Sequence, residues 1–154
     1  MGNRLTDPYI DDLNCIKRLI SEWVKYKSLI IAYDYDNTVF DYHNLGYEFN
    51  DLIELLRECK KYGSKFIVYS HSPIGRYDEM KTYLNSRDIP FDTINENIIE
   101  LHNGSGKLFY NIFLDDRAGL KSAYTSLYVA LSVMEQGPND EKEAFEILKK
   151  MYEV

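Results

Sequence analysis

Cysteine is nearly absent: Cys15 and Cys59 are the only two in 154 residues. They lie too far apart in sequence for a zinc knuckle or a C-x-x-C redox pair. Each is therefore expected as a buried thiol in a reducing compartment, which points to the cytoplasm. Long hydrophobic runs are missing too. The longest apolar stretch is a few residues, against the ~18 or more that a transmembrane helix needs. Residues 1–30 alternate charged and apolar side chains, without the continuous apolar core of a secretory signal. Basic residues are outnumbered, 18 Lys and Arg against 25 Asp and Glu, for a net charge of −7. That balance argues against a general nucleic-acid binder, while leaving room for a local cationic pocket. No internal repeat and no low-complexity segment is present. The start Met1-Gly2-Asn3-Arg4-Leu5-Thr6 fits a loose myristoylation pattern that is common by chance, and an unmodified terminus is the reading taken.

What is present suffices for one domain spanning 1–154. A chain of this length buries roughly 70% of its unfolded surface, and its plentiful aromatic and β-branched residues exclude disorder as the main state. Asp7-Pro8 reads as an N-cap followed by proline at the first helical position. Leu13, Ile16, Ile20 and Trp23 continue a helical stripe to about Lys27, giving an N-terminal helix over about 8–27. The core, about 29–121, starts at Leu29-Ile30-Ile31-Ala32-Tyr33, a short continuous apolar run of the kind a buried parallel strand shows. Phe49, Leu52, Ile53, Leu56 and Cys59 form the next helical stripe, ended by Gly63. Phe66-Ile67-Val68-Tyr69 is a second buried strand, and Ile74, Tyr77, Met80 and Leu84 mark a helix. A short strand is expected near Thr93-Ile94 and another at Ile112-Phe113-Leu114. The tail, about 122–154, is helical: one helix from Leu120 to Gln136, a break at Gly137-Pro138, then a capping box at Asp140 and Glu143 opening a helix to about Tyr152. Strands alternating with helices predict a three-layer α/β/α sandwich on a parallel, Rossmann-like sheet.

The informative feature is the polar cluster at the end of each apolar strand. The first strand ends in Asp34-Tyr35-Asp36-Asn37-Thr38, the second in Ser70-His71-Ser72, the late one in Asp115-Asp116-Arg117. Open parallel sheets bind ligands beyond the carboxyl ends of their strands, so these three clusters are expected to converge. Carboxylates brought together repel, and their pKa values rise unless a cation sits between them. All-oxygen ligands suit magnesium. One such carboxylate can attack phosphorus and form an aspartyl-phosphate; another, two residues on, can protonate the leaving oxygen and later deprotonate water. Alternation along an extended segment puts Asp34 and Asp36 on the same side.

With those residues in place, the chain resembles the haloacid dehalogenase superfamily of phosphotransferases, and the segment from Asp92-Thr93-Ile94-Asn95-Glu96-Asn97 through Asp115-Asp116-Arg117-Ala118-Gly119 looks like its short bacterial and phage hydrolases. The first motif, D-x-D-x-[TV] after an apolar strand, matches Asp34-Tyr35-Asp36-Asn37-Thr38. A Ser or Thr ending the next strand matches Ser70. A basic residue ahead of the last motif best matches Lys107, with Lys81 as a rival. An acidic pair after a strand matches Asp115-Asp116. Order and strand context agree over roughly 29–121. The resemblance implies Asp34 as nucleophile and magnesium ligand, and Asp36 as general acid/base with its backbone carbonyl on the metal. It implies Thr38 holding the turn, Ser70 bonding a phosphoryl oxygen and Lys107 neutralising Asp34 and the transferring group. Asp115 would bind the metal directly and Asp116 through water or a neighbouring side chain. Asn37 stands where many members have glycine. Only about Val39 to Tyr47 remains as a flap, so no large cap is expected, and the site is open or closed by a partner subunit.

Competing readings fall short on spacing. An EF-hand loop starting at Asp34 would need glycine where Val39 stands and glutamate where Leu45 stands. A receiver domain carries its acidic pair on the first strand. Ser70-His71-Ser72 lacks the G-x-S-x-G elbow. Asn103-Gly104-Ser105-Gly106-Lys107 lacks the spacing of a P-loop. Arg76 and Arg117 read either as cations for a second anionic group or as solvated charges. Tyr35, Tyr42 and Tyr47 read as core and rim residues or as stacking partners for a base. The expected activity is magnesium-dependent hydrolysis of a small phosphomonoester, a nucleotide or sugar phosphate fitting better than a long polyanion. The alternatives are a non-catalytic phosphate-binding or regulatory module on the same fold, and a phosphotransferase to an acceptor other than water. The amphipathic terminal helices can pack on the sheet or on another subunit.

Overall fold

Each apolar run identified above becomes a strand of one parallel sheet. In the computed structural model, which describes residues 7–98 and 106–152, β1 is Ile30–Tyr33, β2 Lys65–Val68, β3 Thr93–Ile94 and β4 Ile112–Leu114. The order across the sheet is β3-β2-β1-β4, with all three pairings parallel. Register places Ala32 beside Ile67 on one side and Phe113 on the other, and Tyr33 beside Val68 and Leu114. Among the described residues, α1 Asp12–Tyr26 precedes the strands, α2 Asn50–Lys61 and α3 Tyr77–Ser86 connect them, and α4 Leu120–Met134 and α5 Glu141–Tyr152 follow them. The expected layered α/β architecture on a Rossmann-like parallel sheet is thus what the chain forms. The acylation pattern at 1–6 and the stretch 103–105 lie outside the described residues.

The pleat sorts the strand residues into two faces. Ile31, Tyr33, Phe66, Val68, Ile112 and Leu114 point into the main core, to which all five helices add their buried side chains, among them Trp23, Leu56, Leu84, Leu127 and Leu148. Ile30, Ala32 and Ile67 point the other way, where Ile98, Leu108, Tyr110 and Phe113 pack over them. None of those four covering residues lies in a helix. The second face is thinly covered among the described residues, which decides where the cavity opens.

Local chemistry sets the boundaries. Asp11, not Asp7, caps α1: its carboxylate accepts from the Asn14 N–H at 3.0 Å, while Asp7-Pro8 opens a separate 3₁₀ turn over Pro8–Ile10. The extra turn arises because Asp11 takes the extended conformation that a cap requires. At α5 the capping box forms with a shift: the Glu143 N–H donates to Asp140 at 2.8 Å, and the Glu143 carboxylate accepts from the Asn139 N–H at 3.1 Å. Gly63, at φ +88, ends α2 where a Cβ would meet the Lys27 carbonyl oxygen at 2.7 Å. Cys59 is buried as expected, but Cys15 is only half-buried, its thiol donating to the Tyr9 carbonyl at 3.3 Å. No described helix is long and apolar enough to cross a membrane.

Candidate functional site

The strand order reverses between β1 and β4. The chain works outward from β1 through β2 to β3, then returns to the opposite edge of β1 for β4. Loops leaving the two strands at such a switch point diverge and leave a crevice. Both carry the acidic residues. The parallel ladder runs one residue past each strand, with the Asp34 N–H donating to the Leu114 carbonyl and the Tyr69 N–H to the Tyr33 carbonyl, both at 2.9 Å. Asp34 therefore continues the Ile30–Ala32 side of the pleat, and Asp115 the Phe113 side, both toward the thinly covered face. Tyr35 falls on the opposite parity and is core, 1% exposed.

A cavity of about 600 Å³ opens there, lined by Asp34, Asp36, Ser70, Asp115 and Asp116, with Tyr42 and His43 from the flap and Arg117 at the rim. Asp34, Asp115 and Asp116 each offer a carboxylate oxygen, all within 4.8 Å of one another. The cluster raises the Asp34 carboxyl to about 7, first by burial and then by the facing Asp115 carboxylate, with Asp116 adding to both. Hard oxygen donors that repel one another at this spacing fit a divalent cation, whose charge would remove that repulsion. Asp116, placed among the metal residues by the resemblance, thus lies in the same carboxylate group as Asp34 and Asp115.

Thr38 ties the two acidic loops together. It is fully buried, and its hydroxyl lies 3.3 Å from Asp34 Oδ2 and 3.4 Å from Asp116 Oδ1, so its one proton serves either carboxylate. The same oxygen accepts from the Asp116 N–H at 3.3 Å. Asn37 takes φ 59, a left-handed turn that asparagine tolerates as glycine does, which accounts for asparagine at that position.

Asp36 stands apart from the acidic group. The backbone turns sharply after Asp34, the Tyr35 carbonyl accepting from the N–H groups of Val39 and Phe40. The extended alternation expected to aim Asp34 and Asp36 alike ends at this turn. Asp36 still lines the cavity, but both its oxygens accept from Arg76, at 2.7 and 2.8 Å. Arg76 also donates to Ser72 Oγ at 3.1 Å, and Ser72 Oγ lies 2.8 Å from Ser70 Oγ. Its guanidinium sits over the Tyr35, Phe40 and Tyr42 rings, 5.2 to 5.9 Å from their centroids. The Asp36 pairing strengthens the hold of Arg76 on its proton.

Ser70 is 7% exposed, and Asn95 clamps its backbone from β3's end. The Asn95 amide donates to the Ser70 carbonyl at 2.8 Å and its oxygen accepts from the Ser70 N–H at 2.9 Å. Asn95 carries no chemistry of its own, so nothing in the sequence marks it for this task. Lys107 and Lys81 are both exposed, and neither is among the residues lining the cavity. The structure thus brings together Asp34, Asp36, Ser70, Asp115 and Asp116, and does not bring a lysine into the lining.

No protein-family model matches the chain, and no curated protein sequence matches it. Among solved structures it is similar to a conserved protein from Bacteroides thetaiotaomicron, with 29% identity and a TM-score of 0.50. The match covers 58% of this chain and 77% of that protein.

Proposed function

We propose that this protein is a magnesium-dependent phosphatase of the haloacid-dehalogenase type, hydrolysing a small phosphomonoester through an aspartyl-phosphate. The observation that carries the reading is the Asp34–Asp115–Asp116 group sharing one cavity with Ser70 at the carboxyl ends of three parallel strands. Asp34, Asp115 and Asp116 would hold magnesium, which when bound supplies positive charge for the phosphoryl oxygens.

Each remaining step falls to a side chain. An Asp34 oxygen attacks phosphorus, and the bond from phosphorus to the leaving oxygen breaks. Asp36 delivers the proton the leaving oxygen needs, after giving up at least one of its two bonds to Arg76. Water then attacks the same phosphorus, Asp36 takes the water's proton, and the Asp34–phosphorus bond breaks to return the carboxylate and inorganic phosphate. The Ser70 hydroxyl orients a phosphoryl oxygen. Such esters are among the slowest to hydrolyse unaided, so several groups must act together.

The test is turnover of p-nitrophenyl phosphate with and without magnesium. Activity should depend on the metal, and Asp34→Asn should abolish it while the protein stays folded. Wild-type turnover by Asp34→Asn would overturn the reading. A second reading, a non-catalytic phosphate-binding module, is favoured by the engagement of both Asp36 oxygens with Arg76. It predicts phosphate binding with no turnover in the wild type.

A further inference from the structure

The pleat that aims Asp34 and Asp115 at the cavity aims Tyr69 and Phe113 at the same face, and Tyr110, ahead of β4, packs beside them. Tyr69 comes two residues after Ile67 on β2's edge of the cavity, and Phe113 precedes Asp115 by two on β4. Tyr69 and Phe113 both line the cavity. Their ring centroids are 5.3 Å apart, and Tyr110 lies 5.5 Å from Phe113 and 6.4 Å from Tyr69. Tyr110 and Phe113 have a structural task, packing over Ile30, Ala32 and Ile67. Tyr69 lies beyond that apolar cluster and is 39% exposed. By strand register its neighbour is Asp34 rather than another apolar residue.

Tyr69 thus rests on Phe113 and Tyr110 and keeps the remainder of its ring open where it lines the cavity beside the carboxylates. A cavity of about 600 Å³ is also far larger than one phosphate group requires, and falls in the range of sites for organic ligands. Flat heteroaromatic rings stack on such side chains, whereas a bare sugar offers no π-face. We infer that Tyr69, backed by Phe113 and Tyr110, is the platform on which the base of a nucleoside monophosphate stacks, with its phosphate directed to the Asp34 end of the cavity. The inference rests on the phosphate site proposed above and names its substrate class.

Equilibrium binding separates the two. Adenosine 5′-monophosphate and ribose 5-phosphate are titrated, with magnesium, into full-length Asp34→Asn, which cannot consume them, and into the same protein carrying Tyr69→Leu or Tyr69→Phe. The expected result is at least tenfold tighter binding of the nucleotide, a gap lost in Tyr69→Leu and kept in Tyr69→Phe, with the melting temperature confirming that both fold. Equal affinities, no nucleotide binding, or a gap that survives Tyr69→Leu would overturn the inference. A Tyr69-dependent gap in a protein whose wild type hydrolyses neither compound would sustain the ligand class and remove the phosphatase reading. Equal hydrolysis of both compounds by the wild type would do the reverse.

Discussion

Asp36 and Arg76, forty residues apart in sequence, form a two-pronged ion pair at 2.7 and 2.8 Å. Their side chains keep 28% and 21% of their exposure, so solvent screens much of the charge attraction. The planar fork and the aromatic rings beneath it add geometric fit that a lysine lacks. Arg76→Ala is expected to lower stability by about 1 kcal/mol, and Arg76→Lys to recover less than half of that. In a double-mutant cycle with Asp36→Asn the two losses should fall short of additivity by several tenths of a kcal/mol or more. Urea unfolding of the four proteins measures this, and strictly additive losses would mean that the pair is open in solution.

The acidic group makes stability depend on pH with a sign opposite to that of an ordinary paired carboxylate. Asp34 titrates at about 7 in the folded protein, above the ~3.9 of an unfolded chain. Between those values the folded state holds more protons, so metal-free stability falls as pH rises from about 4 to 7. With Asp34 only partly buried, the loss should be on the order of 1–2 kcal/mol after allowance for solvent screening. Asp34→Asn should flatten the slope in that window. Thermal melts at several pH values in chelator, compared between the two proteins, read it directly, and parallel slopes would place the strain elsewhere.

Gly63 gives a prediction remote from the site. It sits at φ +88, and a side chain there would meet the Lys27 carbonyl oxygen at 2.7 Å. Lys27 is itself the left-handed cap of α1, so the clash is with backbone fixed from both sides. Gly63→Ala should destabilise the protein by about 2 kcal/mol or more. Gly137→Ala, also at positive φ but with open space around its Cβ, should cost less. Equal midpoints in urea for the two variants would show that the Lys27 contact relaxes freely.

Much of this was legible from the chain alone, and the residues show why. Ile30–Tyr33, Phe66–Val68 and Ile112–Leu114 are unbroken apolar runs, and a strand buried on both faces has no other composition. Once they are parallel, the residues just past their carboxyl ends share one side of the sheet, so Asp34, Ser70 and Asp115 were bound to gather. The Asp36–Arg76 pair was not legible, because it depends on how a 3₁₀ turn at Ile74–Arg76, just before α3, presents Arg76 to Asp36. Tyr69 was hidden for a similar reason. Composition marks it as one of 14 tyrosines, and only register makes it a neighbour of Asp34. The stacking candidates Tyr35 and Tyr47 illustrate the converse: Tyr35 is core, and Tyr47 is exposed outside the cavity lining.

Thr38 offers the sharpest test of how the acidic loops are held. Its buried hydroxyl is within 3.4 Å of both Asp34 and Asp116, and it accepts from the Asp116 N–H. Thr38→Val keeps the shape and removes the hydroxyl, leaving that N–H without its acceptor. Outer groups that orient ligands typically contribute 10–100-fold to metal affinity. Thr38→Val should therefore weaken magnesium binding by about tenfold, and Asp115→Asn, which removes a candidate ligand, by more. Because Asp34 must lose its proton to bind a cation, wild-type affinity should fall as pH drops below about 7. Isothermal titration calorimetry at two pH values and in buffers of different ionisation enthalpy yields both the affinity and the proton released. Unchanged affinity in Asp115→Asn would remove the metal from this cluster, whereas a loss confined to Thr38→Val would mean the hydroxyl itself, rather than the carboxylates it orients, contacts the ion.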